Sequence, residues 1–316
     1  MPKVSVVIPT YNVEKYIERC VRSLFEQTLD SMEYIFVDDC SPDNSIAIMQ
    51  KVLEEYPQRK DQVKIIRHEV NQGVGAARNH GVAACTGDYI IHCDPDDWVD
   101  LNMYETMYNK AIENNADMVY CDYYTDAITW KKRRKAKTIT NINTFLLYLC
   151  SNQEYVSLGT KLYKRGICLS IPKISDDICM NEDFIRNYYC IQNCHIITHI
   201  PQSYYHYFLN MQSVSKNWEN KHLQQLLQIR NLLIQDVSSG KCNNQNLMAY
   251  EQFILFAILR HPEITTKEDF LKYKIFLGKS IFCKTYMSWK KKLFLISGII
   301  FLPLTKLALK LHNVCR

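Results

Sequence analysis

Four short runs of β-branched and aromatic residues, each too brief for a helix, constrain this chain more than any other feature. Val4-Ser5-Val6-Val7-Ile8 stops at Pro9 and a turn at Thr10-Tyr11-Asn12. Tyr34-Ile35-Phe36-Val37 stops at Asp38-Asp39, and Val63-Lys64-Ile65-Ile66 and Tyr89-Ile90-Ile91-His92-Cys93 follow. After the first run Ile17, Val21, Leu24 and Phe25 recur at helical spacing, with Asn12 placed to cap that helix. Ser41-Pro42-Asp43 reads as an N-cap with proline at the first helical position, opening a helix to about Tyr56. A third helix spans about Ala76 to Ala84. Strands alternating with helices make βαβ units and a mostly parallel sheet, an α/β fold whose strands are buried on both faces.

Ligands of such sheets sit outside the carboxyl ends of the strands. The polar residues gather there: Thr10-Tyr11-Asn12, Asp38-Asp39 and Asp94-Pro95-Asp96-Asp97. Three carboxylates in four residues repel one another and call for a compensating cation. Hard Mg²⁺ or Mn²⁺ takes oxygen ligands, often only one or two protein carboxylates, and completes its shell with water and substrate phosphates. Without that context, the same residues would make an acidic turn capping the next helix.

Four segments occur in order over the first hundred residues: Val4 to Asn12, Tyr34 to Asp43, Asn71-Gln72-Gly73-Val74-Gly75-Ala76-Ala77-Arg78-Asn79, and Gly87 to Asp97. Together they resemble the family 2 glycosyltransferases of the GT-A fold, in the manner of bacterial polysaccharide-biosynthesis members. The resemblance implies that Pro9, Thr10, Tyr11 and Asn12 border a nucleotide. It implies that Asp39 hydrogen-bonds the base, uracil in familiar members, with Asp38 in support. Asp94 and Asp96 match the D-x-D pair for metal and ribose, and Asp97 would be a further metal or sugar contact. Downstream, Asn181-Glu182-Asp183-Phe184 resembles the E-D motif that carries the family's catalytic base. An inverting transfer needs a carboxylate to remove the acceptor's hydroxyl proton. Asp183 takes that role, with Glu182 as neighbour or substitute. The structural alternative is an acidic pair stabilised at a helix N-terminus.

Other features are weighed beside these. Gly73 and Gly75 do not make a dinucleotide fingerprint, because the first strand–helix turn has no glycine. They are expected to let backbone approach the nucleotide, with Arg78 near phosphate. Lys161, in Gly159-Thr160-Lys161, faces either the diphosphate or acceptor, or the surface. His206, in Tyr204-Tyr205-His206-Tyr207, reads first as a satisfied, partly buried histidine and second as a metal ligand. Cys190, Cys194, His195 and His199 read as a buried cysteine pair on a helix rather than as a zinc site. A Q-x-x-R-W processivity motif is missing around Trp218, which favours a single sugar per encounter. A nucleotidyltransferase would carry a glycine- and lysine-rich phosphate loop near the first strand, and a silent sugar-nucleotide binding module would not need Asp183.

The expected organisation is a GT-A-like domain over residues 1–215 and a helical region over 216–316. Leu223, Leu226, Leu227, Ile229, Leu232 and Leu233 form the apolar stripe of that second region. Lys131 to Lys137 is a basic run that reads as a solvated loop, or as a contact for lipid phosphate or an anionic acceptor. Thirteen cysteines without C-x-x-C pairs, after a start with no signal peptide, suggest reduced thiols and the cytosol. The formal charge of +5 is uneven. Ten basic residues and no acidic one follow Asp269, leaving 28 basic against 33 acidic residues before Phe270. A uniformly basic nucleic-acid binder would not divide this way. The apolar run Leu293 to Leu302 is too short to span a bilayer and is flanked by Trp289 and Lys290-Lys291-Lys292. The tail is therefore expected to hold the protein on an anionic membrane surface from the cytoplasmic side, near a glycan or lipid-linked acceptor. Its alternative is a helix packed on the domain.

Overall fold

The computed structural model describes residues 1–209 and 219–260, with side chains to Ile258. The expectation for the tail lies outside the described residues. The elements run β1 (Val4–Thr10), α1 (Ile17–Phe25), β2 (Met32–Asp38), α2 (Ser45–Glu54), β3 (Val63–Arg67), α3 (Val74–Ala84) and β4 (Tyr89–His92). Then come β5 (Trp98–Val99), α4 (Met103–Glu113), β6 (Met118–Asp126), β7 (Lys131–Arg134), α5 (Ile142–Cys150), β8 (Lys161–Lys164), α6 (Arg165–Ser170), α7 (Glu182–Gln192) and β9 (Ile197–Phe208). Helices α8 (Asn220–Ser238) and α9 (Asn244–Arg260) close the described chain.

The sheet order is β3-β2-β1-β4-β8-β6-β9-β5, with β7 on β6. β3, β2, β1 and β4 are parallel, pairing Val6 with Tyr34 and with Ile91. β8 then runs antiparallel to β4 and β6. The direction change leaves the carboxyl ends of β1, β2 and β4 as one rim. Every residue of β1 is buried, as expected of a strand covered by helices on both faces. Val4, Val6, Ile8, Tyr34 and Phe36 face Val21, Leu24 and Phe25 of α1, and this cluster is the main core. Ser5, buried on the opposite face of β1, is satisfied: it donates to Glu33 at 2.6 Å and accepts from Gly87 N at 2.9 Å.

Three local readings differ from the expectations. Asn12 does not cap α1; it adopts a left-handed φ of 54°, and α1 begins at Ile17 after Tyr16. Likewise α2 begins at Ser45 after Asn44 instead of at Pro42. Ser41, Asp43 and Ser45 instead bind the other loop, accepting from Asn12 N, Glu14 N and Val13 N at 2.8, 2.8 and 3.0 Å. The basic run is partly an edge strand rather than a loop. β7 pairs antiparallel with β6, placing Lys131 opposite Asp126 and Arg133 opposite Tyr124.

The chain divides into two compact units, Met1–Phe145 with Val156–Ser213, and Leu146–Tyr155 with Val214–Arg316. The return of residues 146–155 to the second unit has no signal in the sequence. Within that unit α8 is capped by Glu219, whose N–H donates to His222 Nδ1 at 3.0 Å. Leu223, Leu226, Ile229 and Leu233 are its buried stripe, and Arg230 pairs with Glu251 of α9 at 2.5 Å.

Candidate active site

The parallel register sets Thr10 beside Asp38, bringing the ends of β1 and β2 together. Pro9 and Thr10 are buried, whereas Tyr11 and Asn12 are exposed on the rim. Asp39 N donates to Thr10 O at 3.0 Å, and Asp38 Oδ1 accepts from Ser41 N at 2.9 Å. The Asp39 side chain is turned toward the 72–73 loop. Oδ1 accepts from Gln72 N and lies 2.7 Å from His68 Nδ1, while Oδ2 accepts from Gly73 N at 2.8 Å. Gly73 has a φ of 88°, which a residue with a Cβ adopts only under strain. Asp39 therefore fixes the entry to α3, and His68 Nε2 extends the chain to His80 Nδ1 at 2.8 Å.

β4 ends in the carboxylate turn, closed by Asp97 N donating to Asp94 O at 3.0 Å. Asp94 and Asp96 are half-buried, and Asp97 is 1% exposed. Asp97 faces inward: Oδ2 accepts from the Tyr205 hydroxyl at 2.5 Å and Oδ1 from Phe208 N at 2.8 Å. Burial first, then the Asp96 and Asp94 charges, push its carboxyl well above the ordinary range. The same Tyr205 oxygen accepts from Asp94 N at 3.4 Å. Gly159, in the turn Leu158–Thr160, lies directly against the Tyr205 ring. Arg19 donates to Asp96 O at 3.1 Å and stacks on Trp98. Among the described residues, no three His, Cys, Asp or Glu side chains gather to hold a metal unaided. Asp94 and Asp96 offer hard oxygen donors of the kind Mg²⁺ or Mn²⁺ takes alongside a diphosphate, so the donor set fits such an ion.

His206 is engaged on every side. Its Nδ1 lies 2.9 Å from Asp126 and its Nε2 3.1 Å from Asp100, while Trp98 and Tyr124 stack on its two faces. That is the geometry of a satisfied histidine, with both ring nitrogens already on carboxylates.

α7 brings a second pair of carboxylates. Asn181 precedes it in a left-handed turn, and Glu182 and Asp183 occupy its first turn, where the helix dipole favours negative charge. Glu182 is buried and forms an ion pair with Arg78, with Arg186 at 3.7 Å. Arg78 also reaches Asp94 Oδ1 at 2.5 Å, so one guanidinium of α3 joins the two carboxylate groups. Burial pushes the half-buried Asp183 carboxyl up, and the Arg78 charge opposes the shift. Asn187 anchors the turn, donating to Asp183 O at 2.9 Å and accepting from Tyr163 at 2.6 Å. Burial and Arg78 lower the Arg186 guanidinium to about 10. Lys161 is buried, its ammonium donating to Ser157 O at 3.0 Å and Thr160 Oγ1 at 3.3 Å. Cys190 and Cys194 are buried thiols, and His199 is occupied by Asp122 and Thr138.

Sequence reasoning passed over Arg19, His68, Arg186 and Tyr205. A signal existed for Tyr205: neighbours on a strand face opposite ways, so the residue beside His206 was the one directed at Asp97. Arg186 lies one helical turn beyond Glu182, the spacing of an i,i+4 pair.

A family model described as Glycosyl transferase family 2 matches residues 5–188. The "Uncharacterized glycosyltransferase EpsJ" of Bacillus subtilis (strain 168) is 40% identical over 124 residues, 39% of this chain and 35% of that protein. The chain thus matches about a third of that relative's length. S. aureus TarS 1-349 in complex with UDP-GlcNAc superposes with a TM-score of 0.63 at 20% identity, covering 88% of this chain and 80% of that one. The mannosyltransferase PcManGT from Pyrobaculum calidifontis in complex with GDP-Man and Mn²⁺ superposes at 0.57 and 16% identity, covering 95% and 86%. These likenesses show the GT-A fold. With the match running from β1 into α7 over more than half of its residues, the chain belongs to the family 2 glycosyltransferases.

Proposed function

We propose that the protein is an inverting glycosyltransferase that adds one sugar from a nucleoside-diphosphate sugar, a UDP-sugar first, to an acceptor hydroxyl. The observation that carries the reading is Arg78, which joins Asp94 of the carboxylate turn to Glu182 beside Asp183. Donor-side and acceptor-side groups thereby share one electrostatic network. Pro9, Thr10, Tyr11, Asn12, Asp38 and Asp39 line the nucleotide, and Arg78 stabilises phosphate charge. Asp94 and Asp96 would hold Mn²⁺ or Mg²⁺, whose charge would offset that of the diphosphate leaving group. Asp97, engaged inward, sets the turn that aims them. Lys161 acts from behind the site by opposing the upward shift of Asp183. As the acceptor oxygen bonds to the anomeric carbon, the bond from that carbon to the diphosphate breaks and the hydroxyl proton passes to Asp183. Glu182, consumed by Arg78, positions Asp183 rather than replacing it.

The TarS complex with UDP-GlcNAc and the PcManGT complex with GDP-Man and Mn²⁺ support a nucleotide-sugar donor and a divalent ion. The acceptor is a lipid-linked glycan of a capsule, O-antigen or exopolysaccharide pathway, met at the cytoplasmic face of the membrane. No helix among the described residues is long and apolar enough to cross a bilayer, and the basic tail supplies peripheral attachment. The deciding experiment is a panel of nucleotide sugars assayed for slow donor hydrolysis with Mn²⁺, Mg²⁺ or excess chelator. Hydrolysis of one sugar nucleotide, lost in chelator and in Asp96→Ala, is expected. Full activity in chelator would overturn the metal, and inert donors throughout would overturn the activity.

A further inference from the structure

The β6–β7 hairpin takes no part in the chemistry above, yet its composition is unusual. From Ala127 to Asn141 it carries six basic residues and no acidic one. Ala127 N donates to Trp130 O at 2.8 Å and closes the turn, leaving Ile128 91% and Trp130 46% exposed at the tip. Lys132 and Lys135 are exposed, and no carboxylate of the described residues pairs with either. Among the described residues β7 is an edge strand, paired to β6 alone.

We infer that this hairpin is a second membrane contact, setting Ile128 and Trp130 at headgroup depth and Lys132 and Lys135 against the phosphates of an anionic bilayer. An exposed tryptophan and a branched aliphatic beside cations form the composition of an interfacial anchor. Lysines near an anionic leaflet are attracted through its surface potential. Anionic polymers would engage the lysines but leave the apolar tip in water. Charge complementarity and the apolar tip together select a bilayer.

The hairpin is also stiffly coupled to the carboxylate turn. Lys131 lies 3.8 Å over the Tyr124 ring, Tyr124 stacks on His206, His206 on Trp98, and Arg19 sits 3.5 Å over the far face of Trp98. Arg19 in turn donates to Asp96 O. Arg133 ties the strand down by pairing with Asp122 at 3.1 Å. A hairpin resting on lipid would therefore fix the orientation of the site toward an acceptor carried by that lipid, and so rests on the acceptor reading above. It belongs to the first unit, on residues separate from the tail.

The test uses the full chain and vesicles of equimolar phosphatidylglycerol and phosphatidylcholine. Lys132→Gln with Lys135→Gln should weaken binding roughly 30-fold, from two lost charges. Brominated lipid should quench a fluorescence component that disappears in Trp130→Phe. Donor hydrolysis in lipid-free buffer should be unchanged in all of these variants, which separates failure of the hairpin from failure of the catalytic reading. Wild-type protein that ignores anionic vesicles would overturn the inference. So would lysine variants that bind as tightly as wild type, or quenching identical in Trp130→Phe. Displacement by a soluble anionic polysaccharide without any Trp130 quenching would assign the patch to a polymer instead and likewise overturn it.

Discussion

Gly159→Ala is the sharpest probe of how the carboxylate turn is held. A Cβ built at Gly159 falls on Cε2 and Cζ of Tyr205 and lies 2.6 Å from the Tyr205 hydroxyl oxygen. The ring has no exposed surface, and its hydroxyl is held at 2.5 Å by Asp97. Gly159 cannot retreat easily either, since its N–H donates to Ser157 Oγ at 3.1 Å. Overpacking a buried position costs about 1–3 kcal/mol. If the ring swings away it also gives up a hydrogen bond to a carboxylate, about 1.5–3 kcal/mol. The expected loss is therefore about 1–3 kcal/mol if the ring stays and about 2.5–6 kcal/mol if it swings away, read as a lower urea midpoint at unchanged m-value. Donor hydrolysis should fall with it, because Asp94 N loses the same hydroxyl. Tyr205→Leu removes the crowded atoms, so Gly159→Ala should cost far less in that background, a coupling of about 1 kcal/mol or more. An equal cost of Gly159→Ala in both backgrounds would refute the proposed crowding.

Asp183→Asn should lower transfer by about 10²-fold or more with donor affinity little changed. Because burial raises the Asp183 carboxyl, wild-type kcat/KM should rise with pH through a midpoint above the ordinary 3.8, and the mutant should lose that limb. Arg78→Met leaves Glu182 buried beside a lone, more distant Arg186 and should destabilise the fold by about 3–5 kcal/mol, with partial recovery in Arg78→Met/Glu182→Met by denaturant titration. Burial alone would raise the Glu33 carboxyl, but Lys64, Ser5 and Thr86 outweigh it and the net shift is downward. Its stabilisation is then present above the unfolded value near 4.5 and lost as pH falls through the lower folded value, so Glu33→Gln should flatten the acid limb of a stability–pH curve.

The parallel half of the sheet was legible because strands covered on both faces are continuously apolar, and β1, β2 and β4 read that way. The carboxylates at their ends were legible for the same reason, as polar clusters that interrupt those runs. What escaped depends on contacts distant in sequence. β7 is four basic residues, and only pairing with β6 makes it a strand. β8 hides between two lysines, one of them buried by hydrogen bonds that local composition does not announce. Asn12 and the Ser41-Pro42-Asp43 segment have the right residue types for caps, but Ser41 Oγ and Asp43 Oδ2 accept from a loop roughly thirty residues away, and only Asp43 Oδ1 turns to the start of α2, at Ser45. Asp97 belonged to the recognised motif, yet its inward engagement follows from where β9 delivers Tyr205.

Helix α3 has only eleven residues, about 16 Å of rod. Its entry is gripped by Asp39 through Gly73, and its middle turn grips α7 through Arg78 and through Asn79, which accepts from Arg186 at 2.9 Å. Asn79 also donates to Ile174 O and Asp176 at 2.9 Å, gathering the segment that leads into α7. A nucleotide docked at the Gly73 end, as proposed above, would thus be felt through one short helix by the helix that carries Asp183. Such a linkage favours a compulsory order of events. Under the proposed function, product-inhibition patterns should show the sugar nucleotide entering first, the second substrate following, and the spent nucleotide leaving last.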